Sequence, residues 1–286
     1  MNKKFIAYVK KNHEVLYYQF VKSEFLVSTL SKLDFFRYIL CHIQNKPYFG
    51  VYMMAGQTWE DRKPYMQFLI KKEITHCETG SFRLLEVGSW AGNSALTWAE
   101  AIKSSGQEGE IVCVDPWIPY VKPEKNMVNM APKIMEKALN NNKILKLFLH
   151  NIGATDISKM VTPIRGTSDK VLPMLKESNF NIIFIDGAHY FSNVIRDFQN
   201  AEKLICEGGI LCGDDLELQS HEVDIDFAEK NKELNWIREP KTGKEFHPGV
   251  TMAVHVFFKK PVSAYNGFWA MRKIKNGWET VNLDLK

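Results

Sequence analysis

No C-x-x-C pair occurs in this chain, and its cysteines, Cys41, Cys77, Cys113, Cys206 and Cys212, are odd in number. The first absence excludes a zinc ribbon, and the odd count argues against a disulfide frame. Cys113 and Cys212 sit in apolar runs that read as buried strands, so the set reads as reduced core thiols of a cytoplasmic protein. No run approaches the ~20 apolar residues of a membrane span. The N-terminal MNKKFIAYVKK has charge but only a short apolar stretch, too short for a secretory signal. Charge of one sign is also scarce overall: the net is +4 over 286 residues. It is uneven, because residues 1–50 carry eight Lys or Arg against three Asp or Glu. A general nucleic-acid binder needs a broader basic face, so no nucleic-acid partner is expected. Internal repeats and low-complexity tracts are missing too.

What is present is an alternation. Apolar runs at 83–87, 110–115, 161–165, 181–186 and 209–213 read as strands. Between them, 93–104, 168–176 and 193–206 read as helices, with Ser168 an N-cap candidate. Short continuous apolar strands are expected where helices cover both faces of a parallel sheet. Two further runs, 267–274 and 278–283, flank Lys275-Asn276-Gly277, and Asn-Gly is a strong hairpin signal. The expected fold is a doubly wound α/β domain: a mostly parallel seven-stranded sheet with a C-terminal antiparallel hairpin and extra N-terminal helices. Residues 1–55 form the helical extension and 56–286 the main domain, with 116–150 as an insertion or lid. A helix is expected from Thr58 or Asp61 to Ile74, and a turn from 76 to 81.

The stretch LLEVGSWAGNSALTWAEAI, residues 84–102, carries the first chemistry. Gly88 and Gly92 suit a turn that lets backbone approach a ligand, with the following helix N-terminus aimed at a negative group. A tight strand-to-helix turn without a ligand is the plainer alternative. A dinucleotide would need G-x-G-x-x-G, and here Trp90 replaces the middle glycine. Glu86 repels phosphate and suits an ammonium. A ligand with an ammonium, a carboxylate and a nucleoside fits better, and S-adenosylmethionine has all three. Asp115, ending the second strand, is placed to accept ribose hydroxyls.

The run E-V-G-S-W-A-G-N-S-A resembles the first motif of class I methyltransferases, particularly the metal-dependent catechol-type O-methyltransferases. The resemblance covers about residues 55–216 and the closing hairpin, not 1–50 or 116–150. It implies that Glu86 faces the methionine amine and Ser94 its carboxylate, with Gly88, Ser89, Trp90, Gly92 and Asn93 shaping the turn. Asp115 takes the ribose, and Pro116 and Trp117 flank the adenine. VTPIRGTSDKVLPML is similar to a later segment, so Thr167 and Ser168 line the adenine pocket, and Asp186 borders the cofactor.

IDGAHY and GGILCGDDL place Asp186, Asp214 and Asp215 at two strand ends. If those strands are neighbours the acids converge, and two such charges ~5 Å apart repel by roughly 3 kcal/mol at a dielectric of 20. Either one is protonated or a cation is present. The alternative is one helix-capping Asp and two solvated ones. The matching family residues hold a divalent metal, and all-oxygen ligands select Mg²⁺. The D-G-A-H and D-D forms are similar to bacterial sugar O-methyltransferases of macrolide pathways. The resemblance implies His189 as general base, although a loop-bonding role is the alternative. His221 and His247 are further candidates; the other histidines read as structural.

The reading is methyl transfer from S-adenosylmethionine, Mg²⁺-dependent, to a hydroxyl of a sugar or polyol with adjacent hydroxyls. A catechol or phenol acceptor is the alternative. A nicotinamide dehydrogenase is opposed by Trp90, and a non-catalytic nucleoside-binding protein by the intact Asp186, His189, Asp214 and Asp215 set. The N-terminal helices and 116–150 suit acceptor selection or a homo-oligomer contact. The basic N-terminal segment suits solvated helix faces, or contact with an anionic glycan or membrane surface.

Overall fold

The computed structural model describes residues 24–56, 62–74, 82–119 and 130–285. The chain divides into two compact units, Met1–Gln57 with Trp117–Thr155, and Thr58–Pro116 with Asp156–Lys286. In chain order the helices are α1 (Glu24–Ile43), α2 (Lys63–Ile74), α3 (Asn93–Ser104), α4 (Met130–Leu139), α5 (Lys143–Gly153), α6 (Ser168–Val171), α7 (Phe191–Leu204), α8 (Ile225–Asn231) and α9 (Pro248–Phe258). The strands are β1 (Phe82–Val87), β2 (Gly109–Asp115), β3 (Val161–Arg165), β4 (Phe180–Ile185), β5 (Ile205–Leu216), β6 (Ile237–Arg238), β7 (Glu245–Phe246), β8 (Ser263–Tyr265), β9 (Gly267–Ile274) and β10 (Gly277–Thr280).

The first unit contains α1, α4 and α5. Asp34 of α1 accepts from the amides of Val51 and Tyr52 at 2.5 and 3.2 Å, and from the Tyr48 hydroxyl. Asn151 of α5 exchanges two hydrogen bonds with the Tyr48 backbone, at 2.8 and 3.0 Å. These polar ties fix the unit's short loop because buried backbone groups need partners.

The second unit is built on the sheet, in the order β10-β9-β5-β4-β1-β2-β3. β1 to β5 pair in parallel, and β9 runs antiparallel to both β5 and β10. Adjacent residues of the central strands are buried alike: Leu84 and Leu85 are inaccessible, as are Ile182 and Ile183. Apolar chains on both faces require cover on both, which is why these strands read as unbroken apolar runs. On α7 the buried Val194, Phe198 and Ala201 recur at i, i+4 and i+7 and supply part of that cover. The chain leaves β3 and re-enters beside β1, so the strand order reverses there and opens a crevice beyond the carboxyl ends.

The doubly wound sheet and its closing hairpin are as expected, with Trp278 opposite Lys273 and Gly277 at φ 120°. Three details differ. The sheet gains an eighth, three-residue strand, β8, paired to β9. The helix expected at 168–176 is α-helical only to Val171 and continues as a 3₁₀ turn, Leu172–Met174, where Pro173 can donate no backbone bond. Thr167, not Ser168, stands at its N-cap, with no side-chain capping bond. The fifth strand also runs on to Leu216, so Asp214 and Asp215 lie within it, at a register shift where Asp215 adopts φ 65°. The helix start near Thr58, the turn at 76–81 and Cys77 fall outside the described residues.

Gly213 locks β4, β5 and β9 together. A Cβ there would meet the Ile185 carbonyl at 2.6 Å and the Trp269 ring at 2.7 Å. Gly213→Ala is therefore expected to lower unfolding free energy by about 1–3 kcal/mol, as overpacking does in a dense core. Urea unfolding followed by tryptophan fluorescence measures this, and a change below about 0.5 kcal/mol would show that the seam yields.

Candidate active site

The first half of the site stands at the end of β1. The turn from Ser89 to Gly92 closes with a Gly92 amide to Ser89 carbonyl bond of 2.7 Å. Gly88, Trp90 and Gly92 all take positive φ, at 92°, 46° and 86°. A Cβ on Gly88 would lie 2.0 Å from the Asp186 carbonyl oxygen, so only glycine fits between β1 and β4. The Trp90 amide donates to Asp115 Oδ2 at 3.0 Å, which ties the turn to the end of β2. Gly92 is the N-cap of α3 and brings no side chain to its first amides. Such an N-terminus suits an anion.

Glu86 is inaccessible, and neither carboxylate oxygen closes a hydrogen bond. Its burial pushes the carboxyl up to about 8, although the Ser89 and Ser94 hydroxyls beside it pull the other way. Ser89 Oγ and Thr167 Oγ1 are likewise buried without partners. Native proteins rarely leave such groups unpaired, so a cluster of them calls for an occupant such as water or a ligand. Ser168, next to Thr167, bonds Asp197, whose burial raises it to about 7.

The second half stands at the ends of β4 and β5. These strands are neighbours, and Asp186, Asp214 and Asp215 converge with His189 around a small cavity also bordered by Trp269. The compensating cation is Arg62. It is 8% exposed and ion-paired with Asp214, and its Nε and Nη2 reach the Asn266 carbonyl at 3.4 Å. Asp214 Oδ1 accepts from the Asp215 amide at 2.9 Å. Asp215 pairs with His189 Nε2 at 2.9 Å and approaches His247 Nδ1 at 3.8 Å. Burial works to raise Asp215, yet the His189 charge and hydrogen bond, with the Arg62 charge, hold it well below the usual range. Burial works to lower His189, yet Asp215 lifts it to about 9. Arg62 acts on Asp186 as well, but burial with Asp214 and Asp215 alongside outweighs it and pushes Asp186 well above an ordinary aspartate.

His189 has both nitrogens engaged, since Nδ1 meets Asn235 Oδ1 at 2.9 Å. His247 differs. Its Nδ1 lies 3.1 Å from Glu217 Oε1, its amide donates to Glu217 Oε2 at 3.2 Å, and its ring packs edge-to-face on Trp236. Its Nε2 makes no hydrogen bond to any described residue.

Residues 85–216 match a family described as "Methyltransferase domain". That match spans β1 to β5, somewhat less than half of the chain. No curated protein matches it. The O-methyltransferase NovP is similar in structure, with 13% identity, 75% of this chain and 80% of that one covered, and a TM-score of 0.51. A protein from Staphylococcus aureus described as a candidate caffeoyl-CoA O-methyltransferase is 13% identical, with 93% and 99% covered and a TM-score of 0.50. At these identities the likeness is one of fold.

Within the matched region, Glu86, Gly88, Ser89, Trp90, Gly92, Asn93, Ser94 and Asp115 gather at the β1 and β2 ends. Thr167 and Ser168 follow β3, and the three aspartates with His189 follow β4 and β5. Trp117 instead belongs to the helical unit, where it is buried against Phe148 with ring centroids 4.9 Å apart. Sequence reasoning missed Arg62, which lies in TWEDRKPY with no local signal of a buried partner. It also missed Glu217, which directly follows β5 and meets His247. Arg62→Met leaves Asp214 buried without its cation and is expected to cost about 3–5 kcal/mol. Adding Asp214→Asn should restore most of that loss in thermal unfolding, and an unchanged loss in the double variant would place Arg62's contribution elsewhere.

Proposed function

We propose that this chain is an S-adenosylmethionine-dependent O-methyltransferase acting on a hydroxyl of a sugar- or polyol-type acceptor. The observation that carries the donor is the set of orphaned buried polar atoms, those of Glu86, Ser89 and Thr167, around a glycine turn that a Cβ would fill. These residues fit the donor. Glu86 would face its ammonium and the α3 N-terminus with Ser94 its carboxylate. Asp115 would take the ribose, with Thr167 and Ser168 toward the adenine. When bound, the donor supplies an electrophilic methyl on a sulfonium. The acceptor is read from the D-G-A-H and D-D resemblance, so both polyols and catechols belong in the assay.

The Mg²⁺ expected from that resemblance does not fit the residues as they stand. Asp214 is engaged by Arg62 and by the Asp215 amide, and Asp215 by His189. Among the described residues the one group of three able to hold an ion is His189, Asp215 and His247. Nitrogen-rich sets suit transition ions, whereas Mg²⁺ prefers oxygen donors in octahedral array. No step is therefore drawn through Mg²⁺.

His189 is charged at neutral pH and committed on both sides, so the proton acceptor in this reading is His247. Glu217 orients its Nδ1–H and leaves Nε2 as the open base, an arrangement of carboxylate, imidazole and hydroxyl familiar in general-base catalysis. The donor held by Glu86, Ser94 and Asp115 would supply the methyl carbon to the acceptor oxygen, its sulfur keeping the electron pair of the carbon–sulfur bond. The hydroxyl proton passes to His247 Nε2 and from there to water. Alignment of the attack supplies most of the rate.

Titration of S-adenosylhomocysteine in buffers of different ionisation enthalpy tests the donor site. Glu86 is mostly protonated at pH 7, and an ammonium beside it favours the carboxylate. Binding should thus release close to one proton at pH 7 and none in Glu86→Gln; binding without proton release would detach Glu86 from the amine. On whichever polyol or catechol is methylated, His247→Gln should lower turnover about 10²–10⁴-fold with donor affinity unchanged. Turnover should survive chelator. Loss of turnover in chelator, restored by Mg²⁺, would return the metal to the account.

A further inference from the structure

The interior of the helical unit is apolar, with Trp117, Ile144, Leu147 and Phe148 buried, but α1 turns a polar face inward and an apolar face outward. On α1 the inward line is Ser31, Asp34, Tyr38 and His42. Asp34 and Tyr38 make the unit's internal contacts, and His42 stacks on His150 with centroids 3.8 Å apart. The outward line is Leu33, Phe36, Leu40 and Ile43, which are 61%, 71%, 51% and 77% exposed. Their 3-4-3 spacing places them on one stripe. Soluble helices carry the opposite arrangement, and a contiguous apolar stripe of this size marks a contact surface.

Charge decides what the surface contacts. The unit Met1–Gln57 with Trp117–Thr155 holds 14 Lys or Arg against five Asp or Glu, a net +9. The other unit holds 23 against 28, a net −5. Lys32, Arg37, Lys133, Lys137, Lys143 and Lys146 are all exposed. A cavity of about 260 Å³ is lined by Lys32, Lys137 and Lys143 together with Ser31 and Tyr52. Lys32 precedes Leu33, the first residue of the stripe. A second copy of the chain would set basic unit against basic unit, which like charge opposes. A nucleic acid would use the charge and leave the apolar stripe in water.

We propose that the helical unit docks on an anionic phospholipid bilayer, with Leu33, Phe36, Leu40 and Ile43 entering the interface and the lysine cavity taking a headgroup phosphate. An apolar helix face flanked by lysines binds membranes in this way, through buried area and attraction to anionic lipid. The inference holds whether or not the chain transfers methyl groups.

The test is co-sedimentation of the full chain with vesicles of phosphatidylcholine alone and of phosphatidylcholine with phosphatidylserine. Pelleting is expected only with the anionic vesicles, weakening as salt rises. Phe36→Glu with Leu40→Glu should lower vesicle affinity at least tenfold. Lys137→Gln and Lys143→Gln should each lower it about fivefold. An unchanged far-ultraviolet circular dichroism spectrum and thermal midpoint check that the variants fold. Should they not fold, slowed amide exchange across α1 of the unaltered chain on anionic vesicles is the expected sign. No pelleting, equal pelleting with neutral vesicles, or no effect of the stripe substitutions on a folded chain would overturn the proposal. So would a dimer in sedimentation velocity that the stripe substitutions split, or a cavity that binds inorganic phosphate in a chain that ignores vesicles.

Discussion

The Asp186 carbonyl occupies the space where a side chain on Gly88 would be. Much of the site depends on that close approach. It holds the ends of β1 and β4 in contact, so the glycine turn and the loop that begins the acidic network share a wall. It also places the left-handed turn of Gly88 to Gly92 directly against the crevice where the strand order reverses. A side chain at position 88 would push the two halves of the site apart. The physics is that of steric exclusion, and it acts before any charge does.

Charge then orders the second half. Buried carboxylates cannot remain ionised beside one another without compensation. Here the compensation is internal, because Arg62 serves Asp214 and a protonated His189 serves Asp215. Asp186, left over, is driven toward its neutral form. Arg62, Asp214, Asp215 and His189 thus form paired charges whose members are costly to remove singly. The same pairing engages both nitrogens of His189, while His247 is held by Glu217.

Much of the sheet was legible in the sequence. β1, β2, β3 and β4 are short apolar runs bounded by glycine or polar turns, and Asn276-Gly277 announces the hairpin. The β1 turn was legible as well, because two glycines four apart with Trp90 between them exclude a dinucleotide. β8 was not legible, since three residues carry no period. The true length of β5 was hidden because Asp214 and Asp215 read as the polar end of a strand, whereas they form an irregularity within it. The convergence of three aspartates followed from their strand ends. The identity of the compensating cation did not, because Arg62 reaches it from a segment far away in sequence. Local pattern can show that a charge needs a partner, but only the fold shows which residue arrives. For the same reason the inverted polarity of α1 was invisible: its two stripes are distinguishable only once one of them is seen facing inward.

The central claim is that the end of β1 receives S-adenosylmethionine. Ultraviolet irradiation of the chain with tritiated S-adenosylmethionine, followed by peptide mapping, tests it most directly. The account predicts label on peptides from Glu86 to Ser94 or around Asp115, suppressed by excess S-adenosylhomocysteine. Specific label confined to peptides outside residues 85–216 would contradict it.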